Sequence, residues 1–225
     1  MRIAVLGTGS VGQALAGGLS RLGHAVTVGT RDPDATLART APDGMGNPPF
    51  GAWLADHTDV ALATYADAAA SAELVVLAGN GSAALDMLTA AGADHLVGTV
   101  VLDVSNPLDF SAGFPPTLFV KDTDSLGERV QAAFPQARVV KSLNTLTAPL
   151  MVEPGLLGET TSVFVSGDDA DAKATVTELL TALGHADVID LGGIETARGA
   201  EMFLPLWLRT MGALGTGMFN IKVVR

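Results

Sequence analysis

Gly7-Thr8-Gly9-Ser10-Val11-Gly12 follows the apolar run Ile3-Ala4-Val5-Leu6 and precedes a stretch with helical periodicity. Each glycine at this spacing has a physical job. The first permits a tight turn, the second lets the main chain approach a pyrophosphate, and the third lets helix and strand pack closely. The pyrophosphate then rests on the helix N-terminus, where free N–H groups and the helix dipole favour an anion. Gly7, Thr8, Gly9, Ser10, Val11 and Gly12 are therefore expected to bind a dinucleotide; the bland alternative is a glycine-rich turn with no ligand.

The end of the second strand decides which dinucleotide. An acid about 20 residues past the glycines holds the ribose 2′-hydroxyl of NAD, whereas an arginine accommodates the 2′-phosphate of NADP. Gly29-Thr30-Arg31-Asp32 stands there. Thr30 offers a hydroxyl and Arg31 a planar cation suited to phosphate. Asp32 would be the NAD-type acid after a shift of one residue, but Asp32-Pro33-Asp34 also has the form of a helix N-cap. The cap is the preferred reading, and with it NADP(H) as cofactor.

Ligands of an open α/β sheet bind at the carboxyl ends of its strands. The polar residues expected at those ends are Gly79, Asn80 and Ser82, then Ser105, Asn106 and Pro107, then Lys141, Ser142, Asn144 and Thr145. Gly79 and Asn80 join the cofactor site. Asn106 and Asn144 are placed to hydrogen-bond the nicotinamide carboxamide or the second substrate, and Pro107 to pack on a ring; their alternative is loop capping. Lys141 has three open roles: catalysis, contact with a ribose or acidic substrate, or pairing with an acid. Asn106, Asn144 and Lys141 are the candidate catalytic residues, and no metal site is expected. His24, His95 and His185 precede strands, which puts them at the amino ends of the sheet, and His57 lies in a long loop. None is placed as a general base. Hydride transfer between two redox cofactors needs none, because positioning the two rings does most of the work.

The elements that must position these residues are β-branched runs alternating with alanine- and leucine-rich stretches, as a parallel sheet covered on both faces requires. Strands are expected at Arg2 to Leu6, Ala25 to Gly29, Val60 to Ala63, Leu74 to Ala78, Val100 to Val104, Arg138 to Lys141, Val163 to Ser166 and Asp187 to Leu191. Val11, Leu15, Leu19 and Leu22 make one apolar face of the first helix, which Gly23 ends. Further helices are expected at Ser82 to Ala91, Asp124 to Phe134, Asp169 to Leu183 and Thr196 to about Gly212. Ala41 to Asp56 reads as a long connection, and Pro107 to Pro116 as a second. The result is a doubly wound α/β Rossmann sheet, mostly parallel, with extra C-terminal strands and a hydrophobic C-terminal helix. Residues 1–225 are expected to form one domain, with about 150–225 an extension of the same sheet.

Composition narrows the partners. The formal net charge is −11, hydrophobic residues make up 48% of the 225 and charged residues 16%, so a sizeable core is expected and nucleic acid or a membrane face is not. The absence of cysteine removes disulfides, thiolate metal sites and a cysteine nucleophile. The first residues do not have the form of a signal peptide, and Met202 to Val224 would bury Arg209 as a membrane span, so a cytoplasmic protein is expected.

Taken together the chain resembles the NADPH-dependent reductases of the deazaflavin coenzyme F420. The resemblance is carried by the glycine turn, Val28-Gly29-Thr30-Arg31, Val139-Val140-Lys141-Ser142-Leu143-Asn144-Thr145, Val165-Ser166-Gly167-Asp168-Asp169 and the C-terminal helix. It implies that Thr8, Ser10, Val11, Thr30 and Arg31 contact NADP. It also implies a homodimer, with the C-terminal segment near both active site and interface. Archaeal members carry a histidine near the place of Asn144; here lysine and asparagine stand as in bacterial relatives. Membrane ferric reductases share a similar domain, and other relatives reduce imines or use a flavin. The small-molecule redox substrate is accordingly expected to be coenzyme F420. The alternatives are reduction of a small carbonyl, imine or flavin, with Lys141 or Ser105 supplying a proton, and a non-catalytic NADP(H) sensor. Replacement Arg31→Glu should weaken NADPH far more than NADH in steady-state kinetics; an unchanged preference removes Arg31 from the phosphate site.

Overall fold

A computed structural model describes residues 1–42 and 46–225. Its main sheet has eight strands. The chain begins with β1 (Arg2–Leu6), α1 (Ser10–Arg21) and β2 (Ala25–Thr30), followed by two short helices, α2 (Pro33–Leu37) and α3 (Phe50–Ala55). Then come β3 (Val60–Thr64), α4 (Tyr65–Ala69), β4 (Leu74–Leu77), α5 (Ala84–Ala91) and β5 (Val100–Asp103). A two-stranded hairpin, β6 (Leu108–Asp109) and β7 (Thr117–Leu118), leads to α6 (Leu126–Ala133) and β8 (Arg138–Ser142). The remainder is α7 (Ala148–Val152), β9 (Ser162–Ser166), α8 (Ala170–Ala182), β10 (Asp187–Gly192), α9 (Ala197–Met202) and α10 (Leu204–Leu214).

The strand order is β10-β9-β8-β5-β4-β1-β2-β3. From β3 to β8 all neighbours are parallel, and the order reverses about β1, which opens a crevice at the carboxyl ends between β1 and β4. β9 pairs with β8 antiparallel through only Lys141–Ser166 and Ser142–Val165, and β10 pairs parallel to β9. The eight expected strands agree with these to within a residue at each end.

Both faces are covered. Ile3, Val5, Leu74 and Val76 meet Leu15 and Leu19 of α1 together with apolar residues of α7 and α8. Ala4, Leu6, Val75 and Leu77 meet α4, α5, α6 and Ala197 of α9 on the other face. Continuous apolar strands such as Leu74-Val75-Val76-Leu77 follow from this double covering. Each fully buried leucine contributes about 1.5–3 kcal/mol.

Several expectations are corrected. Leu22 does not complete the apolar face of α1; it caps the helix and is largely exposed. The long connection expected at 41–56 contains α3, and α2 precedes it; the single turns of both fall below the length at which periodicity is readable. The C-terminal helix is not continuous from Thr196, because the chain breaks at Phe203 into α9 and α10, with Pro205 in the first turn of α10. Asp32, by contrast, is the N-cap of α2 as expected, its Oδ1 accepting from Ala35 N at 2.9 Å.

His185 is also misplaced by the strand rule. It precedes β10, but β9 and β10 run against the rest, so their amino ends lie at the edge where the parallel strands finish. His185 is buried there, with Nε2 3.0 Å from the Met151 carbonyl. Burial pushes its pKa below 6.5, more than the Met151 bond raises it. The unfolded chain therefore takes up a proton more readily than the folded one. Stability should fall as pH drops below 6.5. The slope is at most about 1.4 kcal/mol per pH unit from this group. Urea titrations at pH 7 and pH 5 check this: His185→Leu should flatten the dependence, and an equal slope in the variant would dismiss His185 as its source.

Candidate functional site

Gly7 ends β1 with φ of +129°, and a Cβ there would stand 2.6 Å from the Ala78 carbonyl oxygen. A Cβ on Gly12 would strike the carbonyl oxygen of Gly7, so only glycine lets α1 start against the strand. Gly9 differs: nothing lies within 4 Å of its Cβ position, and its main chain faces open space. Gly9 is also the N-cap of α1, which has no side-chain cap and no acid in its first turn. The leading N–H groups of a twelve-residue helix are thus left for an anion, and a pyrophosphate fits this cradle.

Beside the turn, Thr8, Gly9 and Gln13 share a cavity of about 510 Å³ with Arg39, Pro49 and Phe50. Arg31 stands exposed at the end of β2. Thr30 is buried rather than open, with Oγ1 2.9 Å from Oγ1 of Thr36. Thr36 in turn accepts from Arg39 Nη2 at 2.9 Å. Arg39 was not legible as a site residue, since the sequence marks the cap of α2 at Asp32 but not where so short a helix ends.

At the switch point a second cavity, about 320 Å³, opens between β1, β4 and β5. Val11, Gly79, Asn80 and Asn106 line it as expected, joined by Val104, Leu108, Phe110, Leu146 and Met151. Asn80 also caps its own turn, accepting from Ser82 N at 3.1 Å. Pro107 is buried at the root of the hairpin, where its carbonyl accepts from Phe119 N at 2.9 Å, and the apolar wall is made by Leu108 and Phe110 instead. Asn106 and Asn144 clasp one another. Asn106 Nδ2 donates to the Asn144 carbonyl at 2.8 Å, and Asn144 Nδ2 donates to Asn106 Oδ1 at 3.0 Å and to the Ala200 carbonyl at 3.1 Å. Leu143, at φ +60°, makes the sharp turn that aims Asn144 at Asn106.

Lys141 takes the third of its open roles. Its side chain has no exposed surface, and Nζ lies 2.9 Å from Asp103 Oδ2 and 2.8 Å from Glu201 Oε1, while donating to the Ser105 carbonyl at 2.6 Å. It therefore does not reach the crevice. Glu201 also accepts from Leu126 N and Gly127 N at 2.8 and 3.0 Å, so its charge sits on the N-terminus of α6. Asp103 accepts from Ser105 N and Oγ at 2.9 and 2.6 Å. Burial alone would lower the lysine pKa, but the two carboxylates outweigh it and hold the ammonium above its ordinary value. Asp103 and Glu201 were missed; a charged residue inside each of the strands β5 and β8 signals the Asp103–Lys141 pair, but nothing local signals Glu201 of α9.

The first part of the chain, residues 2–107, matches the family model for coenzyme F420-dependent NADP oxidoreductases. A crystal structure from Arthrobacter sp. FB24, whose name places it among the F420-dependent NADP reductases, is 60% identical over the whole of both chains, with a TM-score of 0.97. This chain belongs to that family. The F420-dependent NADP reductase of Methanothermobacter marburgensis is 29% identical over 213 residues, covering 92% of this chain and 90% of that one. Metalloreductase STEAP3 of Rattus norvegicus is 28% identical over 219 residues, and the chain spans 39% of that longer protein. Membership makes the protein an NADP-dependent oxidoreductase with a Rossmann-like fold. Among the described residues no helix is long and apolar enough to cross a membrane.

Removing Lys141 would leave two carboxylates facing each other without compensation. Lys141→Met should destabilise by about 3–5 kcal/mol, read as a lowered urea midpoint. Because the folded-state pKa of Lys141 lies above 10.5, its contribution is complete below that pH and fades as pH climbs through the higher folded value. A variant as stable as the wild type at pH 8 would refute the role of the ion cluster.

Proposed function

We propose that the protein passes a hydride between NADP(H) and the deazaflavin coenzyme F420. The observation that carries this is the crevice at the switch point: an open, mostly apolar slot in which no lining residue among those described is titratable. Such a slot suits two flat rings face to face. When bound, the nicotinamide supplies or accepts the hydride at its ring carbon. The main chain of Gly7 to Gly12 and the first turn of α1 take the pyrophosphate, Thr8, Ser10 and Val11 lie along it, and Arg31 takes the 2′-phosphate. Val11, Leu146, Met151, Leu108 and Phe110 exclude water from the rings. Asn106, fixed by Asn144, keeps one N–H for the carboxamide. With NADPH as donor, the hydride goes to the deazaflavin, NADP⁺ remains, and the accompanying proton comes from solvent.

Carbonyl or imine reduction would need a protein proton donor near the rings. Of the two candidates, Lys141 is sealed in its ion cluster, and the Ser105 hydroxyl donates to Asp103. This supports the deazaflavin reading over carbonyl or imine reduction. The reading brings with it a homodimer in the cytoplasm, with residues 150–225 as an extension contributing to site and interface; the exposed Leu206 and Leu214 of α10 support such an interface.

The test is an absorbance assay with NADPH and oxidised coenzyme F420, run in parallel with NADH and with ordinary flavin. Bleaching of the deazaflavin with NADPH, and much less with NADH, is expected. NADPH binding without bleaching would overturn the acceptor and direct the search to carbonyl and imine compounds.

A further inference from the structure

We propose that Arg39 is a second cation for the 2′-phosphate, held by the buried hydroxyl pair Thr36 and Thr30, and that with Arg31 it sets the preference for NADPH over NADH. The proposal rests on the NADP(H) reading above.

Asp32 and Pro33 fix the start of α2, so its single turn presents Thr36 inward beneath the end of β2. Thr36 is 1% exposed and Thr30 5%, and their hydroxyl oxygens are 2.9 Å apart. The guanidinium of Arg39, just past α2, donates through Nη2 to Thr36 at 2.9 Å. One donor of a five-donor fork is therefore spent on a buried anchor, which holds the group in orientation, and among the described residues no carboxylate takes the others. Arg39 lines the same cavity as Thr8 and Gly9 of the glycine turn. Burial raises the pKa of Tyr65, at the start of α4, while the charges of Arg31 and Arg39 both act to lower it, so both cations lie near this one hydroxyl.

Among the described residues, neither arginine has a carboxylate partner within ion-pair distance. On a chain of net charge −11, two such cations gathered where β2 and β3 end form a local anion site. A phosphate monoester offers three acceptor oxygens and up to two charges, enough for two guanidinium groups. A ribose hydroxyl offers neither. Thr30 then acts on the phosphate through Thr36 and Arg39, as a positioning residue.

The probes are 2′,5′-ADP and 5′-AMP, titrated by calorimetry into the full chain. The wild type should bind 2′,5′-ADP more tightly. Arg39→Gln should weaken 2′,5′-ADP by about 10- to 100-fold, the loss expected for charge-assisted bonds. Its affinity for 5′-AMP should change by no more than about twofold, as the lost contact is to a group that nucleotide lacks. Arg39→Lys should recover part of the loss, because a point charge replaces the fork, and Thr36→Val should weaken 2′,5′-ADP selectively but less than Arg39→Gln. An Arg39→Gln variant that melts like the wild type and keeps its 2′,5′-ADP affinity overturns the proposal, as does an equal loss for both nucleotides. If the wild type itself does not distinguish the two, the NADP reading falls with it; if it does and only the variant is silent, the proposal falls alone.

Discussion

A lysine ammonium with no exposed surface cannot be left without counter-charge, and the arrangement that meets this demand organises the carboxyl edge of the sheet. Lys141 of β8 reaches Asp103 of β5, the carbonyl of Ser105, and Glu201 of α9, while Glu201 also receives the first N–H groups of α6. Five pieces of chain are thereby fixed relative to one another. Apolar side chains of similar volume would hold these pieces together at least as strongly. What the three charges add is direction, since each hydrogen bond fixes the approach of its partner. The crevice benefits directly: Ser105 and Asn106 stand two and three residues after Asp103, and Ala200, beside Glu201, anchors Asn144.

The cofactor side is built by the opposite means. At the glycine turn the protein offers main chain and a helix end, with no side-chain charge, whereas the proposed phosphate site is made of arginine side chains that follow β2 and α2. This division follows from what each group must tell apart. A pyrophosphate is common to every dinucleotide and needs only a cradle. The 2′ position is where the two nicotinamide cofactors differ, and a charge on a protein of net −11 is a sharp discriminator there.

Much of the framework was legible from residue pattern. Apolar runs such as Leu74-Val75-Val76-Leu77 place strands well because burial on both faces leaves them no polar positions. The glycine turn was legible from its spacing, because Gly7 and Gly12 leave no room for a Cβ and Gly9 between them leaves the main chain open. What was hidden depended on contacts distant in sequence. Nothing local in Ala-Glu-Met-Phe at 200–203 says that Glu201 meets a lysine 60 residues earlier, and no strand pattern carries direction, so the reversal of β9 and the position of His185 could not be read. Arg39 was hidden behind the brevity of α2, and Phe110 behind a hairpin of two-residue strands.

That reversal of β9 has a mechanical meaning. Elsewhere in the main sheet each strand is laced to its neighbour along four or five residue pairs, but β8 and β9 meet through two. The sheet has a short seam, and one of its two stitches is at Lys141 itself. Sliding of β9, β10 and the helices after them against the remainder is opposed less by the backbone ladder than by the enclosed charges that cross the same line. The protein has placed its buried ion cluster where its weave is thinnest, so the joint between the two parts of the sheet is fastened by enclosed charge as well as by strand pairing.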